Sequence, residues 1–187
     1  MYTCLGRRWS LRWIIPSMNA VAMTYDLALD SEYEDLMTVK SHLTGEKINL
    51  FNHVFQSADD LVQKVKRQRM LGQKTACCFQ RCVGQDAYNP VYSTAHQIDK
   101  KYGMDYKERF IKFLKYAQEE DIVTDGAMTD VKGDRGLSPG RQSDPDMYLR
   151  VVERREDGIV VNGCKVHQTG IVNSHKVLVK PTIAMKP

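Results

Sequence analysis

Two cysteines four positions apart, Cys78 and Cys82 in the stretch TACCFQRCVG (residues 75–84), are the side chains best suited to chemistry. The stretch reads as helical. On a helix, residues at i and i+4 share a face with Cβ atoms about 5–6 Å apart, so both sulfurs can reach one object. Thiolates held that way suit a soft metal ion or an iron–sulfur cluster. They are, however, only half of a four-ligand set. The plainer alternative is a pair of small apolar side chains packed in a helix interface, because free Cys is among the most buried residue types. A radical-SAM pattern would place a third Cys where Gln85 stands. A zinc site would need two further ligands at finger-like spacing, and neither His96 nor Cys164 is so placed.

Two other stretches carry polar groups at useful density. DGAMTDVKGDRG (residues 125–136) combines the Thr129 hydroxyl, the carboxylates Asp130 and Asp134, the cations Lys132 and Arg135, and a flexible Gly133. A loop of this kind leaving a strand can offer backbone N–H groups and cations to an anionic cofactor; by itself it could equally be a solvated turn. KVHQTGIVNSH (residues 165–175) places His167, Gln168 and Thr169 at the end of a hairpin strand. Their donors and acceptors could read the edge of a planar ring. Single histidines are more often structural, and alone this stretch would not make a site.

The elements that must position these groups change character along the chain. Residues 1–15 show no clear period and form a lead-in. Pro16-Ser17 introduces MNAVAMTYDLALD, a buried-helix pattern. A connecting stretch then runs to about Phe55 with a turn at Gly45. Ser57 to Asp60 resembles a capping box, and Leu61, Val62, Val65 and Leu71 are the expected inner stripe of the helix that follows. Gly72 marks a bend, a second helix from Gln73 carries the cysteines, and Asn89-Pro90 should stop or kink it. Helix resumes from Tyr92 to Tyr102 and ends at Gly103; Asp105 caps the next, with Phe110, Ile111, Phe113, Leu114 and Ala117 facing inward. Strand signals are nearly absent before residue 121. After it, residues 122–129, YLRVVERR, IVVNGCKV and HKVLVKP read as strands, with a turn at Asp157-Gly158 and a hairpin signal at Asn162-Gly163. The expected architecture is α+β: a helical domain at 16–121 and the first part of a β domain at 122–187.

Composition excludes several classes. The chain is 42% hydrophobic and 27% charged with a net charge of +4, three of those positives being Arg7, Arg8 and Arg12. The remainder lacks the clustered basic face that nucleic-acid binding needs; Lys64, Lys66, Arg67 and Arg69 read as the solvated side of a helix. Five cysteines, three of them within six positions, fit reduced cytoplasmic thiols rather than a disulfide framework. No apolar run approaches the roughly 18 residues of a membrane span.

Together, MTYDLALD, LVQKVKRQRMLGQKTACCFQRCVGQDAYN, DGAMTDVKGDRG and DGIVVNGCKVHQTGIVNSH resemble the 4-hydroxybutyryl-CoA dehydratases, a branch of the 4-hydroxyphenylacetate 3-hydroxylase flavoproteins. The resemblance runs from Pro16 to Met185, in order, and leaves residues 1–15 unmatched. It implies an acyl-CoA dehydrogenase-like fold whose helical domain precedes an incomplete β-barrel. It also implies FAD and a [4Fe–4S] cluster, with Cys78 and Cys82 matching two of the four cluster ligands. Met128, Thr129, Asp130, Lys132, Gly133, Asp134 and Arg135, with His167, Gln168 and Thr169, match flavin-contacting stretches. The implied reaction interconverts 4-hydroxybutyryl-CoA and crotonyl-CoA and isomerises vinylacetyl-CoA, in a homo-oligomer, a tetramer by resemblance. On this reading the chain is an N-terminal portion, inactive alone. The alternative is a portion of a two-component, FAD-dependent phenol hydroxylase, which needs no cluster and leaves the cysteine pair unexplained. A stable helical interaction module is a third possibility, disfavoured by the unpaired strand edges it would expose.

Overall fold

The computed structural model describes residues 7–180. The first six residues of the lead-in, and the chain from residue 181 on, lie outside the described residues. Helix α1 (Arg7–Leu29) runs through Pro16 rather than starting there, so part of the lead-in is helical. A four-residue helix α2 (Glu34–Met37) leads into an antiparallel pair, β1 (Thr38–Lys40) and β2 (Lys47–Asn49), turning at Gly45 with φ 79°. These strands were not expected. At three residues each they are too short to show a period of two.

Helix α3 (Ala58–Thr75) starts at the expected capping box: Asp60 N donates to Ser57 Oγ at 3.2 Å, and Ser57 N donates to Asp60 Oδ2 at 3.0 Å. Gly72 lies within the helix without ending it. Its inner face differs from the expected stripe, because Leu61, Val62 and Val65 are exposed while Arg67 and Leu71 are fully buried. The Arg67 guanidinium stacks 4.5 Å from the Phe51 ring centroid and donates to Gln85 Oε1 at 2.6 Å. Those contacts draw Arg67 inward, while Lys66 and Arg69 stay exposed. Helix α4 (Cys82–Tyr102) passes through Pro90 unbroken and ends at Gly103 in the left-handed conformation. Asn89 ties its middle to the core, accepting from Phe55 N at 2.8 Å. Helix α5 (Tyr106–Glu119) is capped by Asp99 of α4, whose carboxylate accepts from the Tyr106 and Lys107 N–H groups at 2.9 and 2.8 Å. Asp105, the expected cap, pairs instead with Arg109. The inward stripe of α5 is as expected, with Leu114 and Ala117 fully buried and Phe110 and Phe113 packed around Tyr88.

The β region holds a parallel pair, β3 (Thr124–Ala127) with β6 (Lys176–Val179), and an antiparallel hairpin, β4 (Arg150–Arg155) with β5 (Gly158–Asn162). The hairpin turns at Glu156-Asp157. Asn162-Gly163 makes no hairpin, because Gly163 (φ 126°) lets the chain cross Tyr148 so closely that a Cβ would fall 2.4 Å from that carbonyl oxygen. The described residues form three two-stranded sheets and no closed barrel, a mixed helix-and-sheet architecture.

A buried polar knot joins the parts. Arg81 donates to Thr24 Oγ1 of α1 at 3.1 Å and to Asp121 Oδ1 at 2.5 Å. Its guanidinium lies over the Tyr25 and Phe51 rings. The same Asp121 carboxylate accepts from Asn49 Nδ2 at 3.0 Å and Asn52 Nδ2 at 2.9 Å. Beyond it, β3 lies directly on α4: Tyr88 Oη donates to Thr124 Oγ1 at 2.5 Å, and Gly84 is so close that a Cβ there would meet the Thr124 carbonyl oxygen at 2.0 Å.

Two outcomes follow from this packing. Gly84→Ala must push β3 off α4 and costs about 1–3 kcal/mol, read as a lower urea midpoint at unchanged m. His53 is buried, which holds its imidazole below the ordinary 6.5 against the pull of Asp60; His42, 5.8 Å away, is lowered too, by burial and by His53. The unfolded chain therefore takes up these protons at higher pH than the folded one, and stability falls as pH drops below about 6.5. Urea midpoints of wild type and His53→Gln across this window should show a shallower slope in the variant.

Candidate functional site

The cysteines do not share a helix. Helix α3 stops at Ala76, which is left-handed (φ 52°), Gln80 is left-handed as well (φ 62°), and α4 begins only at Cys82. Cys78 thus sits in an exposed irregular segment, while Cys82 is the half-buried first residue of α4. The break has a physical origin. Thr75 Oγ1 closes α3 on the Leu71 and Cys77 carbonyls, and the Asp121 carboxylate draws Arg81 into the interior. The two sulfurs nonetheless feel each other. Burial pushes the Cys82 thiol up, the Cys78 charge and then Asp86 push it further, and the backbone N–H groups of Cys82 and Val83 oppose them by favouring the thiolate. Amides at the start of a 21-residue helix are suited to a thiolate and to the negative charge of what thiolates bind.

This donor set fits a soft metal or cluster in part. Both sulfurs are soft ligands, and one already receives N–H groups of the kind that tune iron–sulfur sites. No group of three or more His, Cys, Asp and Glu that could hold a metal ion occurs among the described residues. The pair is therefore a half-set here as well.

Strand β3 delivers the second stretch. Lys165 Nζ donates to Asp130 Oδ1 at 2.6 Å and to the Met128 carbonyl at 3.3 Å, and Val166 N donates to the Thr129 carbonyl at 3.0 Å. These bonds staple residues 128–130 to the strand end that precedes His167. Gly133, expected to be flexible, is packed: a Cβ would meet Gln142 Oε1 at 2.4 Å and Met147 Sδ at 2.5 Å. The Asp134 carboxylate closes its own turn on Gly136 N, whereas Lys132 and Arg135 are exposed cations. His167 is left-handed (φ 62°) and Gln168 donates back to the Val166 carbonyl at 2.6 Å, so the expected ring-edge donors lie in a turn rather than at a hairpin end. Thr169 is exposed in that same turn. The turn leads straight to the cysteine segment: Gly170 abuts Gln80, and Asn173 Nδ2 donates to Gln80 Oε1 at 2.8 Å.

Between α4 and the loop after β3 lies a cavity of about 1100 Å³. The helix contributes Pro90, Val91, Thr94, Ala95 and Ile98; the loop contributes Met128, Asp130 and Arg135. A smaller space of about 140 Å³, bounded by Val83, Asp86 and Gly126, shares Met128 and Lys180 with it. Three expected flavin-stretch residues thus line one wall, while His167, Gln168 and Thr169 do not. The α4 wall was missed because apolar residues at helical spacing, such as Val91, Ala95 and Ile98, have the pattern of any packed helix and do not single out a cavity. Lys180 and Tyr148 carry no signal in the sequence that separates them from surface residues.

Known proteins match this arrangement. The chain is 63% identical to a 4-hydroxybutyryl-CoA dehydratase/vinylacetyl-CoA-Δ-isomerase of Clostridium aminobutyricum over 92% of its own length and 35% of that protein's. An oxygen-tolerant archaeal 4-hydroxybutyryl-CoA dehydratase from N. maritimus superposes with a TM-score of 0.88 at 52% identity, over 92% of this chain and 34% of that one. The oxygenase component of a 4-hydroxyphenylacetate 3-monooxygenase, solved with FAD, shares the fold at 21% identity and a TM-score of 0.58, over 79% of this chain and 30% of that one. The chain therefore spans about a third of the length of its relatives. Residues 10–187 match the family described as 4-hydroxyphenylacetate 3-hydroxylase N terminal, and the chain belongs to that family.

Proposed function

We propose that this chain is the part of a 4-hydroxybutyryl-CoA dehydratase/vinylacetyl-CoA isomerase that supplies two thiolates to a [4Fe–4S] cluster and one wall of an FAD site. The complete enzyme interconverts 4-hydroxybutyryl-CoA and crotonyl-CoA. The observation that carries the reading is a juxtaposition: α4 begins at Cys82, four residues after Cys78, and continues as the wall of the cavity that Met128, Asp130 and Arg135 face. The identity to the Clostridium dehydratase supports it, and the FAD in the more distant hydroxylase structure supports a flavin. A helical layer against a β region is also what an acyl-CoA dehydrogenase-like arrangement requires.

When bound, the flavin supplies redox chemistry for an unactivated C–H bond, and the cluster an electrophilic iron for the departing hydroxyl. The chain's own residues bind and orient. Cys78 and Cys82 would hold the cluster, the amides of Cys82 and Val83 would stabilise thiolate charge, and Arg81 anchors the segment. Lys165 fixes Asp130 and the Met128 carbonyl, setting the loop that faces the flavin. The hydroxylase alternative rests on relatives at 24% identity and leaves the thiol pair without a role. The assembled enzyme is expected to be a homo-oligomer acting on an acyl-CoA.

Two measurements test this. Offering two of four ligands, the purified chain should carry little iron and little flavin; a stoichiometric [4Fe–4S] cluster in it would contradict the half-set. In a full-length protein where this chain replaces the matching third of the Clostridium relative, Cys78→Ser and Cys82→Ser should each reduce iron and dehydratase activity to background. Retention of both would return the pair to a packing role and favour the hydroxylase.

A further inference from the structure

Arg67 of α3 is fully buried and pairs with no carboxylate among the described residues. Of its three nitrogens only Nη2 makes a hydrogen bond, to Gln85 Oε1 at 2.6 Å. Gln85 is itself fixed, its Nε2 donating to the Leu50 carbonyl at 2.6 Å. Nε and Nη1 of Arg67 have no hydrogen-bond partner among the described residues. A guanidinium carries donors alone, so these N–H groups call for an acceptor. The Phe51 ring beside them attracts the charge but accepts no ordinary hydrogen bond. The nearby acids are engaged elsewhere. Asp86, whose field reaches Arg67, pairs with Lys64, and Asp121 pairs with Arg81. His53 Nδ1 is likewise buried without a partner, but a neutral imidazole offers no countercharge. Arg81 lies 5.1 Å from the same Phe51 ring, so two buried guanidinium charges flank one aromatic side chain. A buried charge without a counterion is among the costliest groups a fold can hold.

We propose that Arg67 holds a monatomic anion, a halide such as chloride, on the N–H groups that the protein itself leaves unpaired. A water molecule would accept from those groups and leave the charge; a halide answers both through charge-assisted bonds. The complete enclosure of Arg67 excludes phosphate, carboxylates and other large anions. The anion is a structural ligand: it offsets the repulsion between Arg67 and Arg81 and steadies the contact of α3 with α4 and with the Leu50–Asn52 turn. That framework is one ring removed from the cysteine passage, because Phe79, the neighbour of Cys78, packs 5.6 Å from Phe51.

Urea unfolding of the 187-residue chain at about pH 8, where His53 is neutral, tests the assignment. Sodium gluconate, whose anion is too large to enter, is replaced stepwise by chloride or bromide at constant ionic strength, which keeps screening fixed. The midpoint should rise with either halide, by an equal increment for each roughly tenfold increase above the dissociation constant. Arg67→Met removes the donors and the charge together and should abolish this dependence. Lys66→Gln, which deletes the exposed cation at the adjacent position, should retain it in full. A reading that needs no variant comes from crystals of the wild-type chain grown in bromide: an anomalous peak should stand within hydrogen-bond reach of the Arg67 guanidinium. Equal midpoints in halide and gluconate, a dependence that survives Arg67→Met, or a water molecule where the bromide peak is expected would each overturn the proposal.

Discussion

One buried ion pair decides where the chemistry-bearing segment sits. Arg81 is almost wholly inaccessible and Asp121 only partly so, and between them they engage Thr24 of α1 and, through Asn49 and Asn52, the start of the connection from β2 to α3. A buried charge left without its partner is far more costly than the pair's net contribution, typically by several kcal/mol. The strict arrangement of donors around Asp121 therefore specifies one geometry. It also costs the chain regular structure. Asp121 is itself left-handed (φ 43°), and the segment leading to Arg81 passes through two more left-handed residues. Cys78 lies inside that constrained passage, and Cys82 immediately follows the arginine.

From that anchor, α4 acts as a rigid rule. The eight steps from Cys82 to Pro90 advance about 12 Å along a helix at 1.5 Å each, so the Cys82 thiol and the cavity wall are held at a set separation. Strand β3 is pressed onto the same helix at Gly84 and fixes the height of the loop that begins at Met128. The loop is stapled in turn to residues 164–166 through Lys165. Three stretches far apart in sequence are thereby tied together with few independent hinges. Arg67 adds a second buried cation beside Arg81; burial, then the neighbouring Arg81 charge, lowers it to about 10, and Asp86 opposes the shift.

The parts legible in the sequence were those with local causes. The capping box at Ser57, the Gly103 stop, the inward stripe of α5 and the polar loop after Ala127 each follow from residues within a turn of one another. The parts that were not legible depend on distant partners. Helix continuity through Cys78 failed because Asp121, forty residues on, claims Arg81. The expected stripe of Leu61, Val62 and Val65 failed because the Phe51 ring and Gln85 offer a buried guanidinium better terms than those residues find. The Asn162-Gly163 hairpin failed because Gly163 serves a close crossing of Tyr148 instead of a turn. The cysteine pair, the Met128–Arg135 loop and the His167 turn were identified as residues, but only the packing of β3 on α4 and of Gly170 and Asn173 on Gln80 links the segments that carry them.

The central claim is that Arg81 and Asp121 act as a unit that holds this arrangement. A double-mutant cycle, Arg81→Met and Asp121→Asn singly and together, measured by urea denaturation, tests it most directly. Each single change should be strongly destabilising, and the double variant should recover about 1–3 kcal/mol relative to their sum. Effects that add to within about 0.5 kcal/mol would show that the two side chains contribute independently and that the site is held by something else.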